Sequence, residues 1–202
     1  MFITIEGIEG VGKSTAVNFI KEYFLKHHIP FIVTREPGGT DIAEQIRKIL
    51  LTPTEEIMLP ETELLLMFAS RIQHIKTVIM PALEAGQSVI CDRFDDASFA
   101  YQGGGRGIDL AYIQNLDDWL VKRRPDLTLL LDASPTLGLM RAKHRGPQDR
   151  IEQEKTAFFD RVRAVYLERA KQDMKRFKII DASRPLDVVQ QEIKTLLDEV
   201  CL

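Results

Sequence analysis

Residues 2–15 read Phe2-Ile3-Thr4-Ile5-Glu6-Gly7-Ile8-Glu9-Gly10-Val11-Gly12-Lys13-Ser14-Thr15. The opening is a short β-branched, apolar run, which predicts a strand, and it passes directly into G-x-x-x-x-G-K-[ST]. An amphipathic helical stretch, 13–27, follows at once. Strand, glycine loop and helix in that order are the context a phosphate-binding loop requires. Glycines let the backbone curl until its N–H groups converge on phosphate oxygens, and the helix N-terminus adds its positive end. Gly7, Ile8, Glu9, Gly10, Val11, Gly12, Lys13, Ser14 and Thr15 are therefore expected to hold a nucleoside triphosphate. Lys13 would reach the β and γ phosphates, and Ser14 would give its hydroxyl to a Mg2+ held between them. The loop does not say which reaction follows, because switches, motors and small-molecule kinases all carry it.

Working outward, apolar runs at 31–34, 88–92, 127–132 and 178–180 alternate with helical patterns at 40–50, 61–84, 110–122, 136–143, 154–173 and 186–200. Runs too apolar for a sheet with one wet face, separated by helices, predict an α/β fold: a five-stranded parallel sheet between two helical layers. At 202 residues one domain is expected, 1–202. Two segments break the pattern and read as working loops. One is 98–109, with Gly103-Gly104-Gly105-Arg106-Gly107, where ordering so many glycines costs entropy that a plain connection would not need to spend. The other is 141–150, with Arg141, Lys143, Arg145 and Arg150 around Gly146-Pro147.

Composition narrows the ligand. A formal net charge of −3 offers no electrostatic footprint for duplex nucleic acid, and a small phosphorylated ligand suits it better. Two cysteines cannot make a disulfide framework or a four-ligand zinc site, and Cys91, inside the apolar run 88–91, reads as core. The first strand begins at Phe2, which leaves no room for a secretory leader. The longest strongly apolar stretch, 64–69, is far below the roughly 20 residues a membrane span needs. A cytoplasmic protein is expected, without membrane or nucleic-acid partners.

The second strand ends in Thr34-Arg35-Glu36-Pro37-Gly38-Gly39-Thr40 and the third in Asp92-Arg93-Phe94, with Ser98 and Ala100-Tyr101-Gln102-Gly103-Gly104 close behind. Arg35 and Arg93 thus stand at the carboxyl ends of strands, the edge where open α/β sheets bind ligands, and a guanidinium there can hold a phosphate by paired hydrogen bonds. A structural ion pair, with Glu36 or Asp92, is the alternative for each. Asp92 can hold Mg2+ directly or through water; a cap or ion pair is its alternative. On 61–84, Phe68, Ile72, Ile75 and Ile79 form an apolar stripe, with Arg71 about 60° round from Phe68. Taken alone, these read as a core phenylalanine beside an arginine that reaches to water.

Together with 7–15, 68–71 and 145–152, these segments resemble the thymidylate kinase (dTMP kinase) family in order and spacing along nearly the whole chain. The resemblance implies in-line transfer of the γ-phosphoryl group of Mg·ATP to dTMP, giving dTDP and ADP in dTTP biosynthesis, with Mg2+ as cofactor and a homodimer as the assembly. Arg35 and Arg93 become clamps on the dTMP phosphate, with Glu36 and Pro37 in the same substrate set. Phe68 stacks on thymine and Arg71 bonds its edge. Tyr101 crowds the ribose 2′ position, Gln102 lies near the base, and Ser98 either contacts the base edge or caps locally. Glu9 helps hold the arginine and metal surroundings of the transferring phosphate. Some members carry an arginine directly after that acidic residue, where this chain has Gly10. Its 145–152 segment resembles the subgroup whose basic residues lie in a lid, here about 141–152, which makes Arg145 and Arg150 the transfer candidates; a solvated basic loop is the alternative. Position 94 is Phe, so a polar contact common there in the family is in doubt. No role falls to the histidines at 27, 28, 74 and 144. A kinase for another pyrimidine nucleotide or for a deoxynucleoside, and a P-loop module that binds without transferring, are the competing readings. The second set of arginines argues against the module.

Overall fold

The computed structural model describes residues 1–143 and 148–201. Strands β1 (Phe2–Glu6), β2 (Phe31–Arg35), β3 (Ser88–Asp92), β4 (Leu127–Asp132) and β5 (Phe177–Asp181) form one sheet in the order β2-β3-β1-β4-β5, and every pair is parallel. The helices are α1 (Lys13–Lys26), α2 (Asp41–Leu51), α3 (Pro60–His74), α4 (Met80–Glu84), α5 (Asp95–Ser98), α6 (Leu110–Leu120), α7 (Pro135–Lys143), α8 (Thr156–Gln172) and α9 (Leu186–Cys201). A π-helical turn, Ile75–Ile79, joins α3 to α4, so the expected single helix is continuous but locally underwound, its turn widened by an i→i+5 hydrogen-bond pattern.

Side chains alternate across a strand, and here both sets are buried. Ile3, Ile5 and Ile90 join Ile20, Phe24 and Ile193 in one cluster, while Phe2, Val89 and Cys91 join Phe68, Ile79 and Ile113 in another. Two apolar faces need two helical covers, which makes the three-layer α/β arrangement. Cys91 is fully buried, as its apolar setting predicts. The crossover from β1 runs through α1 to β2 at one edge, and that from β4 runs through α7 and α8 to β5 at the other. Crossovers that diverge leave a crevice at the carboxyl ends of β1 and β4, and the glycine loop occupies it.

The 98–109 segment corrects the expectation of a loop. It is helical from Asp95 through Gly105, with a π-helical stretch Phe99–Gly105 continuing α5, and only 106–109 remain turn and loop. Its glycines serve packing. A Cβ on Gly104 would stand 2.7 Å from Val165 Cγ2 and 2.8 Å from the Arg161 carbonyl oxygen, and one on Gly105 would stand 2.4 Å from the Phe158 ring. Arg161 also donates to the carbonyls of Gly104 (3.1 Å) and Gly105 (2.7 Å). The entropy of these glycines is offset by the close approach of α8, which no side chain would permit.

Candidate functional site

A cleft of about 720 Å³ opens at the carboxyl edge of the sheet, within the range of small-molecule sites. The glycine loop forms its floor. Gly7, Gly10 and Gly12 all have left-handed φ (132°, 73° and 99°), the conformations that turn successive N–H groups inward. Lys13 bends back to donate to the carbonyls of Gly7 (3.0 Å) and Ile8 (2.7 Å). Burial, and then the charge of Arg93, pull its ammonium down to about 8. Position 10 has a structural reason to be glycine: a Cβ there would lie 1.8 Å from the Gly138 carbonyl oxygen, because α7 packs directly on the loop.

Arg93 follows β3 in a left-handed conformation (φ 69°), which aims its side chain over the loop. Its guanidinium donates to the Gly7 carbonyl (2.6 Å) and to Glu9 Oε1 (2.7 Å), and lies 4.9 Å above the Tyr101 ring. The Tyr101 hydroxyl reaches both Glu9 oxygens at 2.8 Å. A carboxylate inside a phosphate loop is therefore balanced by one cation and one hydroxyl, and the ion pair of Arg93 is with Glu9 rather than Asp92. Although burial disfavours its charge, Tyr101 and Glu9 hold Arg93 protonated above its ordinary range. Arg35, half exposed at the rim, makes a two-pronged pair with Glu44 (2.9 and 3.0 Å), not Glu36. Arg47 of α2 was not foreseen; it lines the same wall and donates to the Pro37 carbonyl (2.8 Å). Burial, and then Arg35, lower the Arg47 pKa. Three guanidiniums gathered where they oppose one another imply an anionic guest.

Asp92 lines this cleft too, and its Oδ1 is buried with no hydrogen-bond partner among the described residues. Ser14, on the first turn of α1, lines the same cleft. Among the described residues no group of three or more His, Cys, Asp or Glu could hold a metal by itself. A divalent ion would thus find one carboxylate and one hydroxyl and need phosphate oxygens and water for the rest, which is how Mg2+ is usually held. The donor set fits Mg2+ brought by a nucleotide.

At the other end of the cleft, Arg71 is fully buried rather than reaching to water. It donates through Nε to Glu36 Oε2 (2.7 Å), through Nη1 to Ser98 Oγ (2.8 Å) and through Nη2 to the Phe94 carbonyl (2.9 Å). Phe68, expected to face the ligand, is 1% exposed and packs beneath Arg71 in the core; Met67, one residue earlier, lines the cleft with Phe94 and Ser98. The apolar stripe marked the inward face of α3 correctly, but the cleft meets the flank of that stripe. Gln102 also lines the cleft and donates to Glu63 Oε1 (2.8 Å).

Of the lid candidates, Arg145 lies outside the described residues. Arg150 donates to the Leu50 carbonyl (2.7 Å) and to Glu63 Oε2 (2.6 Å), while its neighbours Asp149, Ile151 and Glu152 line the cleft. Beyond the loop, Arg141, already picked out with the basic segment 141–150, joins Ala182, Arg184, Leu186 and Gln190, which sequence reasoning missed, to form a wall. They come from two helices and a turn, with Ala182 itself buried, and only the pairing of β4 with β5 brings them together.

Residues 5–193 match the family model described as thymidylate kinase. A thymidylate kinase of Ruthia magnifica subsp. Calyptogena magnifica is 52% identical over 197 residues, 97% of this chain and 96% of that protein. One from Pseudomonas fluorescens is 51% identical over 201 residues, 99% of this chain and 96% of that protein. Among solved structures, thymidylate kinase from Ehrlichia chaffeensis superposes with a TM-score of 0.80 at 33% identity, covering 98% of both chains.

Proposed function

Because the chain belongs to the thymidylate kinase family, and so is an ATP-dependent nucleoside monophosphate kinase, we propose that the two ends of its cleft divide the work between donor and acceptor. Mg·ATP lies on residues 7–15 with Lys13 at its β and γ phosphates. The dTMP phosphate lies among Arg35, Arg47 and Arg93, beside Glu36 and Pro37, and thymine lies against Arg71, Ser98, Gln102 and Met67. The observation that carries this division is the convergence of three arginines on one wall, facing the glycine loop, with a separate buried arginine at the far end. Tyr101, held by Glu9 under Arg93, stands where the sugar would pass.

Phosphoryl transfer adds charge to oxygens already crowded with it, so position and electrostatics are the main contributions of the protein. Ser14 and Asp92 would hold Mg2+, which when bound offsets phosphate charge. The acceptor, a monoester already ionised at neutral pH, needs no general base. The lid at about 141–152, within a single domain 1–202, closes over the phosphates, with Arg145 and Arg150 supplying the charge that Gly10 cannot. The Gly10 contact with α7 supports membership of the subgroup with a basic lid. The test is coupled ADP release with Mg·ATP and dTMP, dUMP, dCMP, UMP or thymidine. Turnover is expected with dTMP foremost, and preference for UMP would remove the role given to Tyr101.

Lys13 carries a pH dependence of known sign. With its pKa at about 8 in the free site, it is protonated at lower pH and meets the triphosphate as a cation. Above that value ATP binding must first draw a proton, so affinity is expected to fall roughly tenfold per pH unit. Calorimetry at about pH 9 in buffers of differing ionisation heat should record an uptake approaching one proton, absent in Lys13→Met; no uptake in the native chain would refute the assignment.

We assign a homodimer to the face bearing Leu65 on α3 and Tyr112 and Trp119 on the neighbouring α6, all more than half exposed. Tyr112 and Trp119, seven residues apart, share a helix side. Light scattering on the assay preparation is expected to read a dimer, and a monomer would remove this part. No described helix is long and apolar enough to cross a membrane, and the cytoplasm is the proposed location.

A further inference from the structure

We propose that His74, a residue without a role in the motif, is a positioning residue for the base-binding end of the cleft. It acts through Glu36 on Arg71, and the inference rests on reading the Arg71 end as the base site. His74 is the last residue of α3 and is fully buried. Its Nδ1 lies 3.0 Å from Glu36 Oε1 and its Nε2 lies 2.6 Å from Thr34 Oγ1. A carboxylate only accepts hydrogen bonds, so Nδ1 carries a proton toward Glu36, while Nε2 and the Thr34 hydroxyl share the second bond. Thr34 fixes the ring, the ring fixes one oxygen of Glu36, and the other oxygen receives Arg71 Nε.

Arg71 spends one N–H each on Glu36, Ser98 and the Phe94 carbonyl. That leaves two of the five N–H groups of a guanidinium for a ligand. Their aim depends on the side-on contact with Glu36, and hence on which way the Glu36 carboxylate faces. Without His74, Glu36 Oε1 would be a buried oxygen lacking a donor, and the carboxylate would turn to find one, releasing Arg71. Space is tight as well: a Cβ on Gly39 would stand 2.5 Å from His74 Cδ2, so the ring is wedged under the loop that follows β2. That loop is pinned to the same helix by the Gly38 N–H donating to Ser70 Oγ (3.2 Å). The ring therefore registers β2, its loop and α3 against one another at the point where Glu36 leaves the sheet.

The test is the KM for dTMP and for ATP in His74→Phe, His74→Asn and His74→Gln, with Arg71→Lys as the reference. An Asn amide can occupy the place of Nδ1 and still donate to Glu36, whereas Gln extends to the place of Nε2 and keeps only the Thr34 contact. The dTMP KM should rise about tenfold in the Phe and Gln variants and stay near native in Asn, the loss of a bond to a buried charge being of that order. The ATP KM should not move. An unfolded fraction lowers kcat but leaves KM alone, and if His74→Phe is insoluble the Asn and Gln pair decides. An equal rise in Asn, Gln and Phe would mean that the ring only fills space, which overturns the proposal. Unchanged dTMP KM in the His74 variants, with a raised value in Arg71→Lys, overturns the role of His74 alone. Unchanged dTMP KM in Arg71→Lys as well overturns the base-site reading and the inference with it.

Discussion

Arg93→Ala is expected to lower kcat for dTMP phosphorylation roughly a thousandfold, the order seen when a pre-placed cation is removed from a phosphoryl-transfer site. Three contacts explain the size. The guanidinium bridges the Gly7 carbonyl and Glu9 and lies over Tyr101, so it fixes the loop, the loop's carboxylate and the tyrosine as one unit. Alanine leaves Glu9 with the Tyr101 hydroxyl alone, and an uncompensated negative charge then faces the phosphates. Lysine should recover little, since a point charge cannot serve both acceptors. Melting should show the variant folded, because Arg93 is a surface of the cleft rather than part of either apolar cluster. The measurement is the ADP-release assay at saturating dTMP; a kcat within tenfold of native would sink the role.

Gly10→Ala should both unfold more easily and lose turnover. The residue sits at φ 73°, where a side chain is strained, and the added Cβ would meet the Gly138 carbonyl oxygen at 1.8 Å, its carbon at 2.7 Å and the Ala142 nitrogen at 3.0 Å. These are backbone atoms of α7 and cannot swing aside as a side chain could. Either the loop or the helix must shift, at a cost of roughly 3 kcal/mol, with a fall in Tm of roughly 6–12 °C. Gly12→Ala is the control: its φ is also left-handed, but its Cβ would meet nothing within 4 Å, so only about 1 kcal/mol is expected. Equal melting of the Gly10 and native proteins would show that α7 yields freely.

Much of the fold can be read along the chain because each strand is short, apolar and flanked by a helical period, and such local signals need no partner to be recognised. The phosphate loop is of this kind: its glycines, Lys13 and Ser14 fall within one segment, so their pattern is recognisable without any distant partner. Arg93 and Asp92 could be placed for a similar reason, since a strand's carboxyl end is set by topology. Phe68 could not. The stripe it belongs to defines which side of α3 is buried, but whether the cleft meets the centre or the flank of that side depends on where α3 lies against β2 and α5, and Met67 takes the place.

The glycines of 103–105 show the same division. Their entropy demanded a reason, yet mobility and close packing satisfy that demand equally well in one dimension, and only the presence of α8 decides for packing. The histidine at 74 gave no signal at all, because its partners lie 38 and 40 residues away. By itself, then, the sequence determined the parallel sheet, the triphosphate loop and the cations at its edge, since each follows from contacts within a strand, a turn or a helix. Tertiary structure alone decided that Arg93 pairs with Glu9, that Arg150 is tied to Glu63, that Met67 rather than Phe68 lines the cleft, and that a buried histidine stands behind Arg71. A hydrogen bond or ion pair depends on distances of a few ångströms between residues far apart in the chain, and packing the layers is what sets them.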